Sequence, residues 1–151
     1  VVETKDRNGI KDAIISQKET SFDGPMVTLV NKGTASASEI LAGSLQDNGR
    51  SILMGEQTYG KGLIQSLKSL GDDSGIAITV ASYLTPKGNN IQGQGMTPDK
   101  FLDLRDASEY GSADDKWVKN AELFLDSLLE KEEEEEVPIQ NIGLSNQEKN
   151  P

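Results

Sequence analysis

The chain of 151 residues contains no histidine and no cysteine. A Ser-His-Asp triad, a Cys-His pair and a zinc site built from histidine or cysteine are therefore closed to it. A disulfide framework is closed to it as well. Aromatic residues make up 5% of the sequence and apolar residues 34%, so any core is small and aliphatic. No run approaches the ~18 consecutive apolar residues of a membrane-spanning helix. No charged-apolar-small signal peptide opens the chain. It begins on Val1-Val-Glu-Thr4 without a methionine, which reads as a processed protein or an excised piece, so a missing signal says little about compartment. The length suits one domain, or part of a larger one.

Positive charge is also scarce, and the net −10 is unevenly spread. Residues 1–102 carry 10 Lys/Arg against 11 Asp/Glu, a net of −1, whereas residues 103–136 carry 4 against 13, a net of −9. With no basic stripe to neutralise phosphates, the sequence argues against a nucleic-acid partner. The run Glu132 to Glu136 reads as a solvated tail.

Several elements announce themselves. Val1 to Thr4 is β-prone, and Asp6-Arg-Asn-Gly9 reads as a turn. Residues 10–24 carry no clear pattern. Met26 to Val30 is a short apolar strand, Asn31 to Thr34 a loop, and residues from about Ala37 to Asn48 a helix ended by Gly49. The helix stripe Ala37, Ile40, Leu41, Ser44, Leu45 has the spacing of one buried face. Ser51 to Gly55 is a second strand, followed by the loop Gln57 to Gly62. Leu63 to Leu70 and Gly75 to Thr85 read as two strands about a turn at Gly71 to Ser74. In the second of these, Ile76, Ile78 and Val80 alternate as in a half-buried strand. A late helix is expected from about Ala113 to Lys131, with Trp117, Ala121, Phe124, Leu125 and Leu128 on one face. Strand-helix-strand over residues 26–55 suggests a crossover unit, so the fold class is α/β.

Without imidazole, nucleophilic chemistry needs a serine or threonine activated by another base, and lysine is the known substitute. Ser36 stands at the strand-to-helix junction. Ser36-Ala-Ser-Glu39 matches a capping box, which by itself explains both the serine and the glutamate. The same position also exposes a hydroxyl where helix N–H groups point outward, so the Ala37 N–H could face an oxyanion formed beside Ser36. Lys61, between Gly60 and Gly62, is the candidate base. An ordinary lysine, with a pKa of ~10.4, is protonated at neutral pH. A lysine base therefore needs desolvation and no carboxylate partner. Gly60, Gly62, Leu63 and Ile64 bring no negative charge, and Glu56 would have to point away. The alternative is an exposed loop lysine. Gln65 lies four residues on, ~13 Å along a straight strand. The glycines around Lys61 are expected to let the chain curl so that the Gln65 amide oxygen orients the lysine amine.

Three segments together resemble the carboxyl-terminal processing peptidases, or tail-specific proteases. They are Gly33-Thr-Ala-Ser-Ala-Ser-Glu-Ile-Leu-Ala-Gly43, Gly55-Glu-Gln-Thr-Tyr-Gly-Lys-Gly62 and Thr85-Pro-Lys-Gly-Asn-Asn-Ile-Gln-Gly-Gln-Gly-Met-Thr-Pro-Asp99. The resemblance covers about residues 25–100 and keeps order and spacing. It implies Ser36 as nucleophile, Lys61 as general base, Gln65 as its positioning partner and Ala37 as an oxyanion donor, with no cofactor and no metal. It further implies a crotonase/ClpP-like ββα core. The expected division is residues 1–105 as the C-terminal part of a serine peptidase domain, 106–131 as a C-terminal helix and 132–151 as an acidic, disordered tail.

Family members cleave near the C-termini of other proteins, in the bacterial periplasm or the chloroplast thylakoid lumen. Plant and cyanobacterial members mature the D1 subunit of photosystem II. They usually carry a PDZ domain upstream that binds substrate C-termini. No PDZ-like segment is found in this sequence, and no arginine-asparagine-glycine-glycine type of motif for a second oxyanion donor. The expectation is thus a serine endopeptidase fragment, inactive alone. The competing expectation is a non-catalytic substrate-binding or scaffold fragment of the same fold. A crotonase-type hydratase is disfavoured by the Ser-Lys pair and by the want of a recognisable coenzyme A site.

Overall fold

The computed structural model describes residues 1–17, 19, 21–103 and 110–135. Strands β1 (Val2–Asp6) and β2 (Gly9–Ile14) form a hairpin across the expected turn, where the Asn8 N–H donates to Asp6 Oδ1 at 2.7 Å. β2 lies in the stretch that carried no sequence signal. β3 (Val27–Val30), α1 (Ala37–Asp47) and β4 (Ile52–Gly55) follow, and β3 and β4 pair in parallel. This is the crossover unit that the strand-helix-strand pattern suggested. β5 (Leu63–Ser69) and β6 (Gly75–Leu84) make an antiparallel hairpin, and β7 (Lys100–Phe101) adds in parallel to β4. The result is two sheets, β2-β1-β6-β5 and β3-β4-β7.

The core is small and aliphatic: Val30, Ala42, Leu53, Ile91 and Met96, with Ile40 and Tyr83 packed against it. Helix α1 buries the expected stripe only in part: Ser44 is buried and Ile40 and Leu45 are half-buried, but Ala37 and Leu41 are not. Its buried residues are Glu39, Ala42, Gly43 and Ser44, while Ala37 is exposed and Leu41 is 58% exposed. The physical reason is close approach. Gly43 brings α1 against Thr85 and Met96, and a carboxylate, rather than a methyl group, fills the space beneath the first turn. The alternation in β6 is corrected too. Ile76, Ile78 and Val80 are 43–47% exposed, and Leu67 on β5, paired with Ala77, is 83% exposed. An open groove of about 720 Å³ runs along this hairpin, lined in part by Leu63, Ile78, Val80 and Leu84.

Asp99, in the Thr97-Pro-Asp99 segment, continues the β4 edge with its side chain: Oδ2 accepts the Leu53 N–H at 2.8 Å. Helix α2 (Lys116–Glu135) starts later than expected because buried Asp115 caps it, accepting the Trp117 N–H at 3.0 Å. Trp117 and Ala121 are buried and Phe124, Leu125 and Leu128 half-buried, so the expected stripe is the inner face of the helix. The helix runs on through residues 132–135, into the segment expected as tail; from residue 136 that expectation lies outside the described residues.

Candidate active site

Ser36 ends the Asn31 to Ala35 loop and precedes the first residue of α1. Its backbone has φ 56° and ψ −120°, a conformation that side chains disfavour. Among the described non-glycine residues only Asp73 shares a positive φ. The capping box is only half a cap. Glu39 Oε2 accepts the Ser36 N–H at 2.9 Å, as the sequence suggested. The Ser36 hydroxyl, turned toward the Glu39 N–H, makes no cap hydrogen bond; that N–H goes to the Ser36 carbonyl at 2.9 Å. The hydroxyl is thereby left for other work. The Ala37 N–H has no acceptor among the described residues.

Lys61 reaches the same place through a second loop, residues 57–62, pinned on three sides. The Tyr59 N–H donates to the Thr34 carbonyl at 2.9 Å, and the Gly93 N–H to the Gly60 carbonyl at 2.9 Å. The Gly62 N–H donates to Gln92 Oε1 at 2.9 Å. The third attachment is Glu39: Oε2 accepts the Lys61 N–H at 2.8 Å and Oε1 the Gly60 N–H at 2.6 Å. Because Ser36 N and Lys61 N share the acceptor Oε2, the two backbone nitrogens lie within about 6 Å of each other.

Glycine is what lets these loops touch. A Cβ on Gly60 would sit 2.9 Å from the Gly95 nitrogen, and one on Gly95, whose φ is +68°, would strike the Thr58 carbonyl. Gly95→Ala is thus expected to cost about 2–4 kcal/mol, combining positive-φ strain with a backbone clash. Gly93→Ala, at φ +74° with open space around it, should cost only about 1 kcal/mol. Denaturant melts of the two variants check this; equal losses would contradict the close-packing explanation.

Lys61 and Gln65 line one cavity of about 550 Å³ with Gly33, Ala35, Tyr59 and Gln92. The β5–β6 pairing has a register shift between Ile64 and Gln65. The expected hydrogen bond is not made: among the described residues none joins Lys61 to Gln65, and both are exposed. Lys61 also forms no ion pair among them, so Glu56 does not engage it. The exclusion of water that a lysine base requires is not supplied by the described residues.

Sequence reasoning missed how much Glu39 does. The capping box pointed to one of its partners. The others come from a loop about twenty residues downstream, and no local pattern announces them.

A parallel strand-helix-strand unit sets a serine in a strained turn beside a glycine-walled lysine loop, an α/β arrangement. The chain belongs to peptidase family S41, whose model matches residues 1–100. It is 52% identical over 103 residues to a carboxyl-terminal-processing protease of Synechocystis sp., covering 68% of this chain and 24% of that protein. It is 53% identical over 100 residues to a chloroplastic C-terminal processing peptidase of Tetradesmus obliquus, covering 65% of this chain and 21% of the relative. A solved photosystem II D1 C-terminal processing protease superposes with a TM-score of 0.63 at 48% identity, over 68% of this chain and 27% of that one. The chain thus spans about a quarter of the length of the relatives it matches.

Proposed function

We propose that these residues form the C-terminal part of a crotonase/ClpP-like serine peptidase that cleaves near the C-termini of substrate proteins with a Ser36/Lys61 dyad. The observation that carries the reading is the shared Glu39 carboxylate, which holds the backbones of Ser36 and Lys61 side by side. In this mechanism Ser36 Oγ attacks the scissile carbonyl and its proton passes to neutral Lys61 Nζ. The lysine then returns the proton to the departing amine as the C–N bond breaks, leaving an acyl ester on Ser36. Water, deprotonated by the same lysine, hydrolyses the ester and restores the serine. The tetrahedral oxyanion is held by the Ala37 N–H. The Ser36 N–H is unavailable for this, being bonded to Glu39. Gln65 orients the lysine amine once substrate or further protein closes the cavity. No metal or cofactor enters the scheme. By relationship to chloroplastic and cyanobacterial proteins, the setting is the thylakoid lumen or a bacterial periplasm.

The second oxyanion donor, the opposite cleft wall and a PDZ domain that would gather substrate C-termini are assigned to sequence outside these residues. The short span against the relatives and the open apolar hairpin support that assignment. This chain alone is therefore expected to be at least about 10²–10³ slower than a complete protease, since one oxyanion donor accounts for that much. The assay uses an unstructured protein with an apolar C-terminus, with the chain alone, with the upstream half added, and within a protein of the relatives' full length. Ser36-dependent cleavage only in the complete forms is the expected result. Robust Ser36-dependent cleavage by the isolated chain would show that the fragment lacks nothing essential. No cleavage by any form would favour a non-catalytic scaffold.

A further inference from the structure

Glu39 has no solvent exposure at all, at 0%, and a carboxylate so buried is costly unless its lone pairs are taken. Here they are saturated. Oε1 accepts from Thr58 Oγ1 at 2.5 Å and from the Gly60 N–H at 2.6 Å. Oε2 accepts from the Ser36 N–H at 2.9 Å and the Lys61 N–H at 2.8 Å. Two oxygens offer about four acceptor sites in all. A glutamate serving only as a helix cap needs one of these partners. The other three belong to the loop that carries Lys61. Thr58 orients the carboxylate and is itself fixed, its Oγ1 accepting the Met96 N–H at 2.6 Å.

We propose, resting on the Ser36/Lys61 reading, that Glu39 is a positioning residue for the peptidase reaction. One rigid carboxylate sets the spacing of nucleophile and base through their backbones. Its bond to the Ser36 N–H also holds the strained φ of 56° that presents the hydroxyl. A structural cap would affect stability alone. A positioning group affects the rate of the bound complex, because nucleophile and base fall out of alignment.

Glu39→Gln separates the two. Glutamine has the same shape, but in either orientation its NH₂ faces at least one backbone N–H from which it cannot accept. In a protease of the relatives' full length bearing these residues, E39Q is expected to lower kcat about 10²-fold with KM within about threefold. Ser51→Ala serves as the stability control, since its buried hydroxyl bonds Thr28 and the Met26 carbonyl at the start of β4. It should lower Tm and leave kcat alone. Thr58→Val, which frees the carboxylate to rotate, is expected to lower kcat about tenfold, and Thr58→Ser to restore it. That pair decides the matter if E39Q does not fold. Unchanged kcat in E39Q or in T58V, or a loss that S51A reproduces at matched Tm, would overturn the proposal. Ser36→Ala runs alongside: if it is dead while E39Q is normal, only Glu39's role falls. A fully active S36A would remove the dyad reading and this proposal with it.

Discussion

Replacing Ser36 with alanine is expected to lower kcat about 10⁴–10⁶-fold in the complete protease, the range seen when a serine nucleophile is removed from an otherwise intact site. The change deletes one oxygen. It leaves the Glu39–Ser36 N–H bond in place, because that bond is made by the backbone. Alanine and serine bear similar strain at φ 56°, so Tm should move little. The loss is therefore chemical and not a folding defect. Two measurements check it: peptide hydrolysis, and covalent capture of the wild-type protein by a fluorophosphonate probe at Ser36. A variant that hydrolyses within tenfold of wild type would exclude Ser36 as nucleophile. Absence of labelling together with full activity would point to another residue.

Lys61→Arg is expected to be nearly as damaging, about 10³-fold or more. Arginine preserves charge and length but stays protonated throughout the working pH range, so it has no lone pair to accept the serine proton. K61R should show low kcat/KM throughout the working pH range. A near-normal K61R would remove lysine from the mechanism. The lysine's backbone N–H, which Glu39 holds, survives this substitution, so the loop itself should remain in place. Gln65→Ala should be milder than either change, since it disturbs the orientation of the amine and breaks no reacting bond. Its exposure and its place in the cavity beside Lys61 are consistent with that lesser part.

Much of this chain was legible in order. The strands at 26–30, 51–55, 63–70 and 75–85, the first helix and the turns between them follow from local apolar runs and from Gly, Asn and Asp at turns, and the structure has each within a residue or two. β2 was not legible, because Gly9–Ile14 gains its strand character from pairing with β1 and has little pattern of its own. The buried face of α1 departs in part from the apolar stripe for a related reason. Periodicity reports where apolar residues lie, yet here Glu39 and three small residues, Ala42, Gly43 and Ser44, occupy the inner face and Leu41 the outer.

The sequence by itself set out the candidate chemistry of these residues. Within them no histidine or cysteine is present to activate a serine, and Ser36, Lys61 and Gln65 stand at the positions that the peptidase resemblance marks. Tertiary structure alone decided how the backbones of Ser36 and Lys61 come side by side. Residues twenty-odd positions apart converge because loops 57–62 and 91–96 pack glycine against backbone and because one buried carboxylate takes donors from both sides. Such contacts depend on three-dimensional closure, which residue spacing along a chain does not encode.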